Sequence, residues 1–487
     1  MRKNFIKDIS SGTVQVVLNQ GLGLLVFILI SRYLEKAQYG EFNWTLAILT
    51  LATTILGLRL EQIVVRKVAA GDDPAKILTL FAGHSLAFGI LFYLVLFFTS
   101  LLIPSFFKQH DLLLILAISQ LLGFFSSPFK QLANGKEQFA WLAVMSSVSN
   151  LVKAVWILLT IFFSFLTIQS ILIIYIVASL AELLFCLFVV RYKLAVSINS
   201  KYALKDYFNL LRESAPQIGS VFLNAFIARI DWILLGIFSG TIITAEYSFA
   251  YKLFELCPVP LLVLGPVLLS RFSKYLSGNP ESSLLNQRHE ISFFIRFEMI
   301  VATLIPLVLN IIWSPLIDGL TNNKYGEVNK ITFFLLSLCI PFQYLINLFW
   351  TVEFAQNRLK RVFRITAVTG IIIVAGDLLM IPLWNARGAA IVYLLATVTE
   401  YLLYFRISVV AGIKESWQSL IVCVFAALAG GFAVSFVAGH ILIQLLLSLT
   451  IYFAFLIITK QIKQQDLQLI KQWLYKKQPV LFSPLSK

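Results

Sequence analysis

The stretch ILTLFAGHSLAFGILFYLVLFFTSLLI, residues Ile77–Ile103, decides the fold class because it contains no Asp, Glu, Lys or Arg. An α-helix rises about 1.5 Å per residue, and about twenty apolar residues cross the hydrocarbon core of a bilayer. The stretch is therefore long enough to span a membrane. Similar stretches recur along the 487 residues, which predicts an all-α polytopic membrane protein.

The overall composition supports the same fold class. Hydrophobic residues make up 59% of the chain and charged residues 13%, and the mean hydropathy is +0.86. Soluble domains carry about a quarter charged residues. A chain this apolar cannot cover its surface with polar groups, so its solvent must be the bilayer.

The apolar stretches predict about fourteen membrane spans. The first follows the basic segment MRKNFIKD and has full spanning length with no cleavage signal, so we expect a retained span rather than a signal peptide. The predicted spans are 12–31, 42–58, 77–103, 112–129, 141–163, 169–190, 214–237, 243–269, 291–313, 331–352, 363–381, 388–405, 417–438 and 440–459.

The distribution of Lys and Arg predicts the orientation. With the N-terminus in the cytoplasm, the cytoplasmic connections and both tails hold 29 of the 39 Lys and Arg residues, the opposite connections hold 6 and the spans hold 4. This asymmetry follows the positive-inside rule and predicts that both termini are cytoplasmic. The net charge of +15 thus has a topological cause, and nothing in the sequence indicates a nucleic-acid partner.

A weak internal repeat predicts two six-helix lobes. A shift of 205 residues aligns Leu18-Asn19 with Leu223-Asn224 and Glu41-Phe42 with Glu246-Tyr247. Transporters are often built from such repeats around an axis along the membrane normal. The predicted division is an N-terminal lobe (1–195), a cytoplasmic interfacial linker (196–213), a C-terminal lobe (214–410) and two further helices with a cytoplasmic tail (411–487).

Charged residues inside spans are candidates for the transport site, because a charge in hydrocarbon costs roughly 2.5–3.5 kcal/mol on insertion scales. We predict that the bases bind substrate in a cationic cavity: Lys153, Arg229, Lys252 and Arg296. The acids are candidates for ion coupling or helix bracing: Glu182, Asp231, Glu255, Glu298, Asp377 and Glu400.

The spacing of these charges separates some roles. Lys252 and Glu255 are three residues apart and can pair on one helix face. Lys153 has no acid within reach on its own helix, so it is the leading candidate for the cavity. A base in a membrane cavity suits an anionic cargo such as a phosphate or diphosphate.

Two other pairs are only two residues apart. Arg229 and Asp231, like Arg296 and Glu298, point about 200° apart on a straight helix, so both members of a pair cannot face one partner. At least one member of each pair faces a cavity or another helix, and the sequence leaves these two alternatives open.

No pattern indicates a catalytic or metal site. The Cys and His residues lie far apart and lack ligand spacing, and the predicted external connections are short. The residues are Cys186, Cys257, Cys339 and Cys423, with His84, His110, His289 and His440.

Several segments resemble the polysaccharide flippases (Wzx-type) of the multidrug/oligosaccharidyl-lipid/polysaccharide exporter superfamily. In the first half these are SRYLEKAQYGEFNWTLAIL from Ser31, LGLRLEQIVVRKVA from Leu56 and QLANGKEQFAWLAV from Gln131. In the second half they are SAPQIGSVFLNAFIARIDWILLGIFSG from Ser214, AEYSFAYKLFEL from Ala245 and GDLLMIPLWNARGAAIVYLLATVTEYLLY from Gly376. Ala245 stands where the family commonly has glycine, and Asp377 where it commonly has asparagine.

The resemblance implies two lobes in a V around a central cavity and transport by alternating access. It implies a cargo of polyprenyl-diphosphate-linked oligosaccharide moved from the cytoplasmic to the outer leaflet of a bacterial inner membrane, for cell-surface polysaccharide assembly. No cofactor is expected, and coupling to a proton or sodium gradient is left open. Membrane lipids are expected neighbours, with polysaccharide polymerase and glycosyltransferases as partners.

Two alternatives remain open at this stage. A cation-coupled multidrug exporter of the same superfamily would share the fold, although such exporters usually have twelve spans and fewer bases in the cavity. A membrane polysaccharide polymerase or glycosyltransferase is the alternative from another class. Such an enzyme typically needs external loops that carry catalytic residues, and the short external connections of this chain disfavour it.

Overall fold

A computed structural model describes residues 19–198, 204–261, 284–356, 358–407, 416–437 and 440–463. Within these ranges the backbone forms helices and turns and contains no β-strand. The first helices are α1 (19–33), α2 (Lys36–Leu56), α3 (Leu60–Ala69), α4 (Pro74–Leu102), α5 (Pro104–Gln109), α6 (Leu112–Gly135), α7 (Phe139–Phe162) and α8 (Ile168–Phe188), which continues as a π-helical turn (Val189–Lys193). The later helices are α9 (Leu204–Ile227), α10 (Ile230–Phe238), α11 (Gly240–Phe254), α12 (Leu284–Thr321), α13 (Gly326–Ser337), α14 (Ile340–Ala355), α15 (Leu359–Ile407), α16 (Ser416–Val434) and α17 (Ile441–Ile458).

Local sequence signals explain where some helices begin. Asp73 precedes α4 and its carboxylate accepts a hydrogen bond from the Ala75 amide, while Pro74 occupies the first helical position. Thr167 caps α8, and its side chain and that of Ser170 each accept a hydrogen bond from the other residue's backbone amide. These contacts satisfy amide groups that have no partner within the helix.

Nine helices among the described residues are long and apolar enough to cross a membrane, and the number rises to eleven when each of two bent helix pairs is one span. Their outer faces carry large apolar side chains, and on α4 Leu91, Phe98 and Leu102 are each more than half exposed. Apolar faces of this extent are unfavourable in water and suited to lipid. The chain is a multi-pass, all-α membrane protein.

Every one of the fourteen predicted spans overlaps a helix. Spans eleven and twelve both fall in α15, which leaves helical geometry at Asn385 (φ 49°, ψ −132°). Spans one and eight overlap the shorter helices α1 and α11. Parts of the predicted spans at 12–18, 262–269 and residue 438 lie outside the described residues, as do 199–203 of the predicted linker and the C-terminal tail from 464.

Two spans are broken helices. Between α2 and α3 the axis bends by 47°, and between α9 and α10 by 43°. At the first break Leu58 (φ 45°) and Arg59 (φ 63°) both adopt left-handed backbone conformations. Each costs roughly 1–2 kcal/mol for a residue with a side chain, and such strain concentrates at functional sites.

The predicted interfacial linker is continuous with span seven. Its helical part and the start of that span form the single helix α9. Ion pairs hold this helix against the α3–α4 region, with 2.7 Å between Arg66 and Glu213 and 2.9 Å between Lys76 and Asp206.

The chain divides into two compact units. The first comprises Met1–Leu253, Pro315–Thr332 and Phe363–Ala396, and the second comprises Phe254–Ser314, Phe333–Val362 and Thr397–Lys487. Compactness and repeat symmetry are different properties, so the lobe boundaries inferred from the repeat stay a prediction.

Each unit has its own packed interior. In the first unit Phe81, Leu132 and Cys186 belong to a fully buried apolar cluster on α4, α6 and α8. In the second unit the rings of Trp313 and Phe333 stack with centroids 3.8 Å apart.

Candidate functional site

The first unit contains a cavity of about 510 Å³ with a largely polar wall. A polar cavity among apolar helices holds water or a polar ligand, because an unsatisfied polar group in hydrocarbon is costly. Three wall residues carry formal charge: Arg59, Glu61 and Lys130. The other wall residues are Thr53, Thr54, Gly57, Gln120, Gly123, Phe124, Ser127, Gln131, Asn134, Leu142, Ser146 and Val221.

One face of α6 forms much of this wall. Gln120, Gly123, Ser127, Lys130 and Asn134 recur at intervals of three and four residues, which places them on one side of the helix. From first to last this polar stripe runs about 21 Å along the helix axis. The stripe is long enough to contact a diphosphate and more than one sugar ring.

Lys130 is tied to the predicted acid Glu182. The Lys130 Nζ atom lies 2.6 Å from Glu182 Oε1, and the Ser126 hydroxyl donates a hydrogen bond of 2.9 Å to the same oxygen. The side chains are 22% and 8% exposed, respectively. Glu182 is thus held by two groups of α6, and Lys130 retains an exposed portion at the cavity wall.

Lys153 lies close to the same acid but does not line this cavity. Its ammonium group is 4.2 Å from the centroid of the Tyr175 ring, a cation–π geometry, and it interacts electrostatically with Glu182. Ser146 of the same helix does line the cavity, and Lys153 lies seven residues, or two turns, beyond it. The absence of an acid on its own helix is thus compensated by Glu182 from α8.

Arg59 occupies the strained break between α2 and α3. It is the residue that precedes the first turn of α3, and its Nε atom is buried without a hydrogen-bond partner in the described part of the chain. Glu61 lies in that first turn and accepts a hydrogen bond of 2.6 Å from Ser127 across the cavity. Arg59 therefore places a cationic side chain in the cavity wall beside the positive end of a helix, an arrangement that favours an anion.

Arg229 and Asp231 lie at the second break rather than on a straight helix. Arg229 precedes α10, and its guanidinium lies 5.0 Å from the centroid of the Trp232 ring. The Asp231 carboxylate accepts hydrogen bonds from the Trp232 amide (2.8 Å) and the Tyr247 hydroxyl (2.6 Å). The angular separation of 200° expected for a straight helix therefore does not apply, because the helix is interrupted between Ala228 and Ile230.

Asp377 is a third buried acid of the first unit, after Glu182 and Asp231. It is 1% exposed, and within the described residues neither carboxylate oxygen has a hydrogen-bond partner. Asp231 is near enough to act on it electrostatically. Two neighbouring carboxyl groups in a membrane protein repel when both are ionised, so they favour a shared proton or a bound cation.

The second unit contains the other deep pair. Arg296 is buried and donates a hydrogen bond of 2.7 Å to the Ser292 hydroxyl. Glu298 is 1% exposed, and neither of its oxygens has a hydrogen-bond partner among the residues that the structure covers. Arg296 and Glu298 thus have different surroundings, as expected for side chains two residues apart on a helix.

The remaining predicted residues are less deeply placed. Lys252 is half-buried in the last turn of α11, and Glu255 follows the end of that helix. Glu400 is half-buried in α15. None of the four predicted cavity bases lines the 510 Å³ cavity, and their contact with cargo stays a prediction.

Metal ligation has no support in the described ranges, where no group of three or more His, Cys, Asp and Glu side chains could hold an ion. The four cysteines are buried free thiols.

Sequence reasoning missed the charged residues of the cavity wall. It assigned Arg59 to the connection 59–76 and Lys130 to the connection 130–140, although α6 continues to Gly135. The available signal was the spacing of polar residues from Gln120 to Asn134, which continues the helical period through the predicted loop.

Comparisons with known proteins bear on both fold and family. A family described as polysaccharide biosynthesis protein matches residues 5–276. No curated protein sequence matches the chain. A solved structure of the lipid II flippase MurJ in an inward closed conformation is similar with a TM-score of 0.73 and 15% identity, and the match covers 94% of this chain and 99% of that one.

Two transporter structures are also similar. An inward-facing multidrug resistance MATE family transporter of the MOP superfamily has a TM-score of 0.64 at 14% identity, with 84% of this chain and 98% of that one covered. A mutant of the MATE transporter VcmN from Vibrio cholerae has a TM-score of 0.55 at 14% identity, with 85% and 98% covered. At these identities the likeness establishes a shared fold.

Proposed function

Because the chain belongs to the polysaccharide biosynthesis protein family, we propose that it is a flippase for a polyprenyl-diphosphate-linked oligosaccharide repeat unit. The cargo moves from the cytoplasmic to the outer leaflet of a bacterial inner membrane by alternating access, and both termini of the transporter are cytoplasmic. The observation that carries the proposal is the polar cavity of the first unit, with Arg59 and Lys130 in its wall.

The two bases suit the charged part of this cargo. A guanidinium fork and an ammonium point charge are the usual protein ligands of phosphate groups. Arg59 and the partly exposed Lys130 supply both kinds of group in the wall of one cavity. Charge attraction is stronger there than at a surface because apolar helices surround the cavity.

The rest of the wall suits the sugar. Amide and hydroxyl groups of Gln120, Ser127, Gln131, Asn134 and Ser146 line the cavity, and each can both donate and accept hydrogen bonds. Sugar hydroxyl groups need partners of both kinds when they leave water. Transport is the role we propose for this cavity, because its wall supplies groups that bind both the charged and the sugar parts of the cargo. Polysaccharide polymerase and glycosyltransferases are then partners that consume and supply the cargo.

A gradient-coupled multidrug exporter is a second candidate. The observation in its favour is Asp377, a buried carboxyl whose oxygens have no hydrogen-bond partner among the described residues and which Asp231 influences electrostatically, because such a carboxyl can bind a proton or sodium ion. The likeness to MATE transporters fits this candidate as well. The pair is equally compatible with a flippase driven by an ion gradient, whereas the bases of the cavity disfavour cationic drugs.

The test is transfer of lipid-linked oligosaccharide, in cells or vesicles, normalised to folded protein. We expect Arg59→Ala to lower transfer by roughly 10- to 100-fold, since a hydrogen bond to a charged group contributes about 1.5–3 kcal/mol. Arg59→Lys restores part of the activity if charge suffices and little if two-pronged binding is needed. Arg66→Ala is the matched control, because Arg66 is on the same helix in an exposed ion pair with Glu213.

Full transfer by Arg59→Ala would overturn the role of the cavity in binding cargo. Export of cationic drugs by the wild-type protein, without movement of lipid-linked sugar, would favour the multidrug exporter.

A further inference from the structure

Gly123 of α6 has no conformational or packing reason to be glycine. Its backbone does not adopt a positive φ, and a Cβ atom built on it would meet no atom within 4 Å. Glycine in a helix interior is less favourable than alanine. Gly83 shares these properties but lies outside the cavity wall, so Gly123 is distinguished by its position in that wall.

Other glycines in the same unit show what a packing role looks like. A Cβ on Gly89 would approach the Phe125 ring to 2.4 Å, and one on Gly135 would approach the Val68 Cβ to 2.8 Å. These glycines allow helices to approach closely, as small residues commonly do in membranes. Gly123 instead faces open space.

The open space beside Gly123 is the candidate cargo cavity. Gly123 is part of its wall, one turn from Gln120 on one side and from Ser127 on the other. Because Gly123 has no side chain, it leaves a gap in the polar stripe. At this gap the helix backbone and the neighbouring polar side chains face the cavity. Any larger residue would extend directly into that volume.

The position of the gap indicates which part of the cargo it admits. Gly123 lies seven residues before Lys130, a separation of about 10 Å along the helix. A diphosphate bound at Lys130 and Arg59 would place the first sugar between these two positions. The second sugar would then reach Gly123.

We propose that Gly123 is a specificity-determining residue that leaves room for the sugar beyond the first one of the lipid-linked headgroup. This inference rests on the proposed function, because it takes the cavity to be the cargo site. It goes further because it proposes that the residue at position 123 of the wall limits the size of the headgroup that the cavity accepts. A larger side chain at 123 excludes long headgroups and still admits short ones.

The experiment compares two probes in vesicles: polyprenyl-diphosphate-linked N-acetylglucosamine and a polyprenyl-diphosphate-linked trisaccharide that starts with the same sugar. We expect Gly123→Leu to slow transfer of the trisaccharide at least about tenfold more than transfer of the monosaccharide, because overpacking a filled site is costly. Gly83→Leu is the matched control. Gly83 lies inside α4, outside the cavity wall, and a Cβ there also meets no atom within 4 Å.

A labelling experiment supplies a readout that does not depend on transfer. Gly123→Cys should react with a water-soluble thiol reagent, because the four native cysteines are buried and position 123 faces the cavity. The trisaccharide probe should slow this reaction and the monosaccharide probe should not. Neither probe should affect Gly83→Cys.

The outcomes separate this inference from the proposed function. Suppose that the wild-type protein transfers both probes and that Gly123→Leu transfers the trisaccharide at the wild-type rate. This result would overturn the role of Gly123 but would leave the proposed flippase function standing. Equal loss of both probes, or labelling of Gly123→Cys that the trisaccharide does not slow, would also overturn it. Failure of the wild-type protein to move either probe would instead remove the proposed function.

Discussion

Replacing Lys130 with methionine should both destabilise the protein and impair transport, and a second substitution can separate the two effects. The Lys130 ammonium lies 2.6 Å from Glu182, which is only 8% exposed. At this separation and an effective dielectric constant of about 20, the attraction is about 6 kcal/mol, part of which offsets the desolvation of the two groups. Removing one partner of a buried pair typically costs about 3–5 kcal/mol, because the other charge is left uncompensated.

We therefore expect Lys130→Met to lower the thermal unfolding midpoint of the detergent-solubilised protein by about 5–10 °C. Lys130→Met/Glu182→Gln should recover part of this loss. Ser126 can still donate a hydrogen bond to residue 182, whereas Lys153 loses its electrostatic interaction with Glu182. Lys136→Met is the matched control. Lys136 ends the same helical region and donates only one hydrogen bond, of 3.2 Å, to the Leu194 carbonyl, so its replacement should cost about 1 kcal/mol.

The double variant then tests transport on a folded protein. If Lys130 also binds cargo, the double variant should be stable and still transfer lipid-linked oligosaccharide at least about tenfold more slowly. Full transfer by the stable double variant would show that Lys130 has only a structural role and does not bind cargo. No gain in stability from Glu182→Gln in the Lys130→Met background would refute the energetic coupling of the pair.

Two further predictions concern contacts outside the cavity. Lys324 donates hydrogen bonds of 2.7 Å to the carbonyls of Arg32 and Leu34, so Lys324→Met should destabilise the protein by about 2–3 kcal/mol, measured as a lower unfolding midpoint. Burial raises the pKa of the Tyr207 hydroxyl, which contacts His84 at 2.8 Å, above its usual value of 10.0. Because the folded-state pKa is raised, the contribution of Tyr207 to stability should be constant below pH 10 and fall as the pH rises above it. Tyr207→Phe should remove this contribution to the pH dependence at a cost of about 1–2 kcal/mol.

The membrane spans were the part of the fold that the sequence predicted well. A segment in hydrocarbon must satisfy its backbone hydrogen bonds internally, so an apolar run of spanning length has few options besides a helix. All fourteen predicted spans overlap helices for this reason. The break at Asn385 falls between the predicted spans 363–381 and 388–405, where the two helices join through one non-helical residue.

The helix breaks were not predictable from apolar runs. Leu58 and Arg59 adopt left-handed conformations that only a glycine-rich or turn-like sequence would indicate. The preceding Gly57 has an ordinary right-handed conformation (φ −65°), so the glycine in this segment marks the break without supplying its unusual geometry. Such conformations are imposed by tertiary contacts, such as the hydrogen bond between His84 and the Leu56 carbonyl.

The candidate site was predicted in chemistry but not in position. A search for charges deep inside apolar runs finds side chains that need a partner in the fold. Lys153, which interacts electrostatically with Glu182, is one example. Asp231, which accepts a hydrogen bond from Tyr247, is another. The bases in the wall of the cavity of the first unit come from other places: Arg59 lies at the break between α2 and α3, and Lys130 lies in the last turns of α6. The count of Lys and Arg in the connections assigned both residues to loops. A polar cargo has to enter from water, so its first ligands belong where a span loses its apolar character. Contact of the deep charges with cargo therefore stays a prediction, whereas the helical spacing of polar residues past the first charge of α6 indicates the wall of the candidate cavity.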